Sequence, residues 1–128
     1  MGTIKLDHYV LILRGDNLLE FIDGISTNKV EGSCTTVFTN KNAKIIDMVE
    51  VIEKQDFVAL VGHKLYKDSV ISHISSRVLD ANIQIFDITN SNNVFFTTNK
   101  SLTVDNATIH ESIIGRIMIT PKDSEILE

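Results

Sequence analysis

The spacing of hydrophobic residues changes several times along the chain, and each change marks a predicted element. The run from His8 to Leu13 is apolar and contains β-branched residues, which predicts a buried strand. Residues 14–17 (Arg-Gly-Asp-Asn) interrupt this run with turn chemistry, and Glu20 stands where it can form a capping box with Asn17. Apolar residues then recur at the spacing of a helix, at Leu18, Phe21, Ile22 and Ile25.

The middle of the chain alternates with the period of two that is typical of strands. Segments 33–39 and 44–53 are rich in β-branched residues and are separated by an Asn-rich turn, so they predict a hairpin. A short connection at residues 54–56 leads to the apolar segment 57–61. Three consecutive strands therefore form a predicted meander.

Helical spacing returns after Lys64 and then gives way to further β-biased segments. One apolar face, predicting a helix of about four turns, consists of Tyr66, Val70, Ile71, Ile74 and Val78. Segment 83–88 predicts another strand, and more strands are expected before Pro121. The predicted order is β-α-β-β-β-α-β followed by further strands. It indicates an α+β fold with a largely antiparallel sheet, two helices and ferredoxin-like elements.

Length and composition predict one globular domain over residues 1–128. The chain is 43% hydrophobic and 23% charged, and it contains no repeat or low-complexity linker. The net charge is -5 and basic residues form no stripe, which argues against a nucleic-acid partner. No apolar run approaches the roughly 20 residues of a membrane span, so we expect no membrane partner. The single cysteine, Cys34, excludes an intrachain disulfide and, with the lack of a signal-like N-terminus, favours a cytoplasmic location.

Asp47 is the main candidate for chemistry. On the predicted strand it shares a face with Ile45, Val49 and Val51, so it is the only polar member of that face. Burial of a carboxylate favours its protonated form, which is one way that proteins obtain general acids and bases near neutral pH. Alternatively, Asp47 reaches solvent at the hairpin end or accepts hydrogen bonds from turn amides. Spacing alone leaves these alternatives open.

The other reactive residue types show no pattern that predicts a site. The histidines are scattered singly, so we expect no metal. The glycines form neither a dinucleotide-binding fingerprint nor a P-loop. Cys34 has no histidine or cation beside it in sequence, so we interpret it as a small strand residue.

Three segments, at residues 10–30, 39–52 and 57–74, resemble the opening of the glycine cleavage T protein family. This family of aminomethyltransferases, with folate-binding relatives in iron-sulfur cluster maintenance, begins with a strand, Gly-Pro-Asp, a helix and Thr-Asn-Asp. An Asn-x-x-Gly-Gly-Ile-(Ile/Leu)-Asp-Asp turn and strand follow, and then an apolar strand before a helix. The resemblance covers about residues 6–90 and implies the fold of the family's N-terminal part.

The resemblance also suggests functional residues. Gly15 to Asn17 stand at the Gly-Pro-Asp motif, Thr27 to Lys29 at Thr-Asn-Asp, and Asn40 to Met48 at the turn and paired aspartates. It implies that Asp47 corresponds to the first aspartate of the pair, which in T proteins contacts the reactive part of the folate. Asp47 is thus the catalytic candidate, and the ligand-binding candidates are Asp47, Asn40, Thr27 and Asn28.

Several positions depart from the family pattern. Met48 replaces the second aspartate, Ala43 and Lys44 replace the two turn glycines, and Gly62 stands where the family has an asparagine. The Gly-Tyr-Thr-Gly-Glu segment of the T proteins and the Lys-Gly-Cys motif of the iron-sulfur branch are both missing from the sequence. A full T protein is nearly three times as long as this chain.

Two functions remain open at this point. The first is a truncated T-protein-like domain that binds tetrahydrofolate or a related small molecule in one-carbon metabolism, with aminomethyl transfer as its reaction if it is an enzyme. The second is a non-catalytic interaction or assembly module that kept the fold and lost the site. In either case we expect a homo-oligomer, or a partner chain that replaces the missing T-protein domains.

Overall fold

The computed structural model describes residues 3–27, 29–39, 44–78, 82–99, 107–111 and 115–122. The chain divides into two compact units, one formed by Tyr9–Asp87 and the other by Met1–His8 with Ile88–Glu128. The strands are β1 (Thr3–Leu6), β2 (His8–Gly15), β3 (Cys34–Thr39), β4 (Ile45–Glu53), β5 (Val58–His63), β6 (Ile83–Asp87), β7 (Asn92–Thr97), β8 (Thr108–Glu111) and β9 (Arg116–Pro121). The α-helices in these ranges are α1 (Leu18–Gly24) and α2 (Lys67–Ser75).

The larger unit is built on a five-stranded sheet with the order β3-β4-β5-β2-β6. The pairs β3/β4 and β4/β5 are antiparallel, as expected for a meander. The pair β2/β6 is also antiparallel. In β2, residues 9–13 are all buried, which explains why this segment is a continuous apolar run without alternation.

Both helices pack on one face of this sheet. Ile22 and Ile25 from α1 and its C-terminal end, and Val70 and Ile74 from α2, belong to the same buried cluster. The sheet contributes residues at alternate positions to this cluster, namely Tyr9, Leu11, Leu13, Phe38, Val49, Val51, Val58, Leu60 and Ile83. The apolar periodicity of the sequence therefore identifies the core of this unit.

Two details of the predicted helices are wrong. Asn17 has a left-handed backbone, with φ of 55°, and its side chain makes no capping hydrogen bond, so the predicted capping box does not form. The second helix is shorter than four turns, because residues 64–66 form a 3₁₀ turn before it. Tyr66 lies in that turn and is 44% exposed instead of facing the core.

The β4 strand contains an irregularity at its start. Phe38 pairs with Asp47, but the next residue, Thr39, pairs with Ile45, so one extra residue is inserted in β4. Such a bulge re-aims the side chains that precede it. Ile45 is consequently 73% exposed, and Ile46 packs against the core cluster, which corrects the predicted position of Ile45 on the buried face.

The smaller unit contains a four-stranded antiparallel sheet with the order β1-β7-β9-β8. Its buried side chains include Val94, Met118 and Ile119. The three strands after residue 91 agree with the predicted further strands, whereas β1 was not predicted.

The α+β fold class with largely antiparallel strands is confirmed, and the described ranges contain two α-helices and two sheets, whereas the sequence predicted one sheet. The assignment of residues 1–128 to a single domain stays a prediction. Within the described ranges, no helix is long and apolar enough to span a membrane.

Candidate functional site

The structure places Asp47 inside the larger unit, on the core-facing side of β4. Its neighbours along this face, Val49 and Val51, are fully buried, and Asp47 itself is 7% exposed. The strand β4 is an internal strand, with β3 on one side and β5 on the other. Asp47 is therefore a buried carboxylate on an otherwise apolar face of β4.

Both oxygens of the Asp47 carboxylate accept hydrogen bonds. The Tyr9 hydroxyl donates to Oδ2 at 2.9 Å, and the backbone N–H of Met48 donates to Oδ1 at 2.8 Å. Tyr9 is 0% exposed, so this side-chain pair is almost completely desolvated. The carboxylate is held in one orientation by a donor on a distant strand and a donor on its own strand.

Burial raises the pKa of Tyr9 well above its ordinary value of 10.0, and the negative charge and hydrogen bond of Asp47 raise it further. All three effects disfavour the phenolate, because it would be poorly solvated and adjacent to a carboxylate. At neutral pH Tyr9 is thus a neutral hydrogen-bond donor.

Gly62 on β5 provides the space in which these two side chains meet. A Cβ atom at this position would overlap Asp47 Oδ2 and the Tyr9 hydroxyl oxygen, and it would lie 2.6 Å from Tyr9 Cζ. The sequence comparison with the T-protein pattern singles out Gly62 only as the residue at the family's asparagine. Its local role is to leave room for the Tyr9–Asp47 hydrogen bond.

Tyr9 is the site residue that the sequence does not reveal. It lies within a run that predicts a buried strand, and its ring contributes to the core as that prediction requires. The Tyr9 hydroxyl could have indicated a polar contact, since a buried tyrosine usually has a hydrogen-bond partner. Nothing in the local pattern indicates that this partner is 38 residues away.

Thr27 is not brought into contact with Asp47. Its backbone N–H donates to Val37 O at 3.0 Å, and the adjacent Ser26 bridges to Phe38, on the side of β3 opposite to β4. Two strand spacings, about 10 Å, separate the backbones at these positions. Asn28 and Asn40, the other ligand-binding candidates, lie outside the described residues.

An open cleft of about 770 Å³ lies along α2, next to Ile46 in the β4 bulge. Asp47 is not among the described residues that line it, namely Ile46, Asp68, Ser69, Ser72, His73, Ser76 and Arg77. The His73 ring is partly buried, lies 5.6 Å from the Phe38 ring and has Nε2 3.5 Å from Ile25 O. This cleft and the Asp47 pair are distinct features of the same unit.

The remaining candidates for reactive chemistry have ordinary surroundings. Burial raises the pKa of the Cys34 thiol, and the charge of Glu50 raises it further, so this thiol is not activated as a nucleophile. Among the residues that the structure describes, no group of three or more metal-ligating side chains could hold a metal ion.

The fold resembles that of a known enzyme. No protein-family model and no curated protein matches the chain. Among solved structures, the glycine cleavage system aminomethyltransferase T from Bartonella henselae matches with a TM-score of 0.73 and 13% sequence identity. The match covers 94% of this chain and 42% of that one.

The chain therefore has a T-protein-like fold and spans less than half the length of that aminomethyltransferase. At 13% identity, this similarity establishes the architecture and leaves the activity to be argued from the residues of the site.

Proposed function

We propose that this chain is a T-protein-related domain that binds a folate or a similar small molecule in one-carbon metabolism, with Asp47 as its polar contact. The observation that carries this proposal is a buried carboxylate on the apolar face of β4, at the position that resembles the first family aspartate. The similarity in fold over 94% of the chain supports the same relationship.

The hydrogen bonds of Asp47 are compatible with a ligand contact. An ionised carboxylate offers about four acceptor sites, and the two donors present use one on each oxygen. Acceptor capacity thus remains for an N–H group of a folate-like ligand. A charge-assisted hydrogen bond in this desolvated environment would be strong and directional.

Tetrahydrofolate would supply the one-carbon carrier chemistry if the domain is catalytic. The contribution of the chain would be to orient the reacting amine and to hold a negative charge near it, which are the main means by which a fixed carboxylate accelerates such a transfer. The fixed orientation of Asp47 is suited to this role.

A non-catalytic assembly module is the second candidate, and one observation favours it. Asp47 is only 7% exposed, and each of its oxygens already accepts an internal hydrogen bond. A carboxylate in this arrangement can act as a structural acceptor that fixes β4 relative to β2.

The substitution Asp47→Asn distinguishes the two candidates. If Asp47 contacts the ligand, loss of a charge-assisted hydrogen bond should weaken tetrahydrofolate binding by about 1.5 to 3 kcal/mol, or roughly ten- to a hundredfold. Thermal stability of the unliganded protein should fall in either case, because an amide has one acceptor oxygen whereas the carboxylate accepts from both Tyr9 and Met48, so the affinity separates the two candidates. Isothermal titration calorimetry and thermal melting measure the two effects.

Asp56→Asn is the matched control, since it removes an exposed carboxylate from the connection before β5. It should change neither affinity nor melting temperature. Unchanged folate affinity in Asp47→Asn, together with a clear loss of stability, would favour the structural role. If the wild-type protein binds no tetrahydrofolate at millimolar concentration, the ligand proposal is wrong.

A further inference from the structure

The Tyr9–Asp47 hydrogen bond crosses an intervening strand. Tyr9 is on β2, Asp47 is on β4, and β5 lies between them in the sheet. Strands are about 4.8 Å apart, so the backbones of β2 and β4 are separated by about 10 Å. A tyrosine ring can span much of this distance only if the residue below it on β5 has a very small side chain.

Gly62 is that residue. Its missing side chain opens a passage over β5, which is filled by the Tyr9 hydroxyl from one side and Asp47 Oδ2 from the other. The three residues therefore form one contact across three strands, which we call the Tyr9–Gly62–Asp47 bridge. Its members lie close together only because the sheet places β5 between β4 and β2.

The bridge restricts the orientation of Asp47. The Met48 amide alone would fix only Oδ1, from within the same strand. The Tyr9 hydroxyl fixes Oδ2 as well, and Tyr9 is itself held by a fully buried ring in the core cluster. A carboxylate with both oxygens held in this way has little rotational freedom to lose when a ligand binds.

We propose that Tyr9, reaching over Gly62, is the positioning residue of the Asp47 site. It does not contact the ligand but holds the carboxylate in the orientation that accepts a ligand N–H. This inference rests on the proposed function, because it concerns the same carboxylate. It adds Tyr9 to the proposed site and gives this residue the role of fixing the orientation of the Asp47 carboxylate.

The first arm of the test examines the bridge without ligand. The sequence contains two tyrosines, Tyr9 and Tyr66, so protein labelled with ¹³C at tyrosine Cζ gives two resonances, which Tyr66→Phe assigns. Asp47→Asn should shift the Tyr9 resonance, because its hydrogen-bond acceptor loses its charge, and should leave the Tyr66 resonance in place. An unchanged Tyr9 resonance would overturn the inference whatever the outcome of the folate titrations.

The second arm is a double-mutant cycle on tetrahydrofolate affinity. Tyr9→Phe keeps the buried ring and removes only the hydroxyl, and it should weaken binding by roughly tenfold. In the Asp47→Asn background the same change should have almost no further effect, because the group that Tyr9 positions is already altered. Tyr66→Phe is the matched control, since Tyr66 is 44% exposed, and it should leave affinity unchanged.

The outcomes separate the two proposals. If Tyr9→Phe weakens binding equally in both backgrounds, Tyr9 supports the fold in general and the positioning role is wrong, while the folate proposal stands. If Tyr9→Phe leaves the affinity at its wild-type value, the positioning role is also wrong. If the wild-type protein binds no tetrahydrofolate although the Tyr9 resonance responds to Asp47→Asn, the proposed function fails and the positioning role fails with it.

Discussion

At the scale of single residues, Gly62 has the most stringent local requirement in the candidate site. Its backbone does not require a positive φ, so the need for glycine comes from the close approach of Tyr9 and Asp47. A methyl group there cannot be accommodated without moving a buried ring or breaking the hydrogen bond between these side chains.

Gly62→Ala should therefore lower the free energy of unfolding by about 1 to 3 kcal/mol, which is typical of overpacking in a core. Urea denaturation followed by circular dichroism measures this change. Gly24→Ala is the control, because a Cβ at the end of α1 meets nothing within 4 Å and alanine is the better helix former. Equal effects of the two substitutions would show that the space above Gly62 is larger than the structure indicates.

At the scale of elements, the bulge in β4 decides which isoleucine faces the core. Simple alternation places Ile45 with Asp47 and Val49, but the inserted residue turns Ile46 toward the cluster and Ile45 toward solvent. Bulges of this kind redirect side chains without interrupting the sheet.

Ile46→Ala should destabilise the protein by about 1 to 2 kcal/mol, less than a fully buried isoleucine because Ile46 is only partly buried. Ile45→Ala should stay within about 0.5 kcal/mol of the wild type, since its side chain is 73% exposed. Denaturant unfolding of both variants tests the register. A larger loss of stability in Ile45→Ala than in Ile46→Ala would show that regular alternation continues through residue 45.

His73, on α2, should make the stability of the protein depend on pH. Burial lowers its pKa below the ordinary value of 6.5, the charge of Arg77 lowers it further, and the hydrogen bond to Ile25 O opposes this shift. The folded state thus binds a proton less readily than the unfolded state. The contribution of neutral His73 is fully present above pH 6.5 and is lost as the pH falls through the lower pKa of the folded state.

Thermal melts between pH 7.5 and 5 should therefore show a decline in stability below pH 6.5 that is weaker in His73→Gln. His110→Gln, a change in the other unit, should retain the decline of the wild type. A wild-type protein that became more stable as the pH fell over this range would contradict the assigned sign.

At the scale of the whole molecule, exposed apolar side chains bear on assembly. In the larger unit, Ile45, Met48 and Leu65 are 73%, 64% and 75% exposed, respectively. Exposed apolar surface favours association, and two-fold dimers are the commonest soluble assemblies.

We predict a dimer or higher oligomer, with a mass in light scattering of at least twice the 14.3 kDa of the chain. Met48→Lys should shift the protein toward the monomer because it places a charge on the apolar surface. Gln55→Lys adds the same charge at an exposed polar position of the same unit and serves as the control. A monomer mass that is independent of protein concentration would refute this prediction.

The sequence by itself determined the order of most elements and the face of β4 on which Asp47 lies. These features depend on the periodicity of side chains along a strand or helix, which is a local property of the chain. The β-rich runs that follow residue 8 became strands, and the apolar stripes at Leu18 to Ile25 and at Val70 to Ile74 became helices that pack on the core. The strand β1 was missed because it is only four residues long, too short for the alternation of polar and apolar residues in Thr3–Leu6 to stand out as a strand.

Only the tertiary structure decided what Asp47 contacts, how the strands divide between two sheets and where the β4 bulge falls. The strand order β4-β5-β2 brings Tyr9 and Asp47 together over Gly62, although 38 residues of sequence separate the two side chains. Likewise, the pairing of Phe38 with Asp47 and of Thr39 with Ile45 exposes Ile45 in spite of its hydrophobicity. Periodicity reports which face of an element is buried, but the neighbours on that face are set by strand order and register, which depend on packing across the whole sheet.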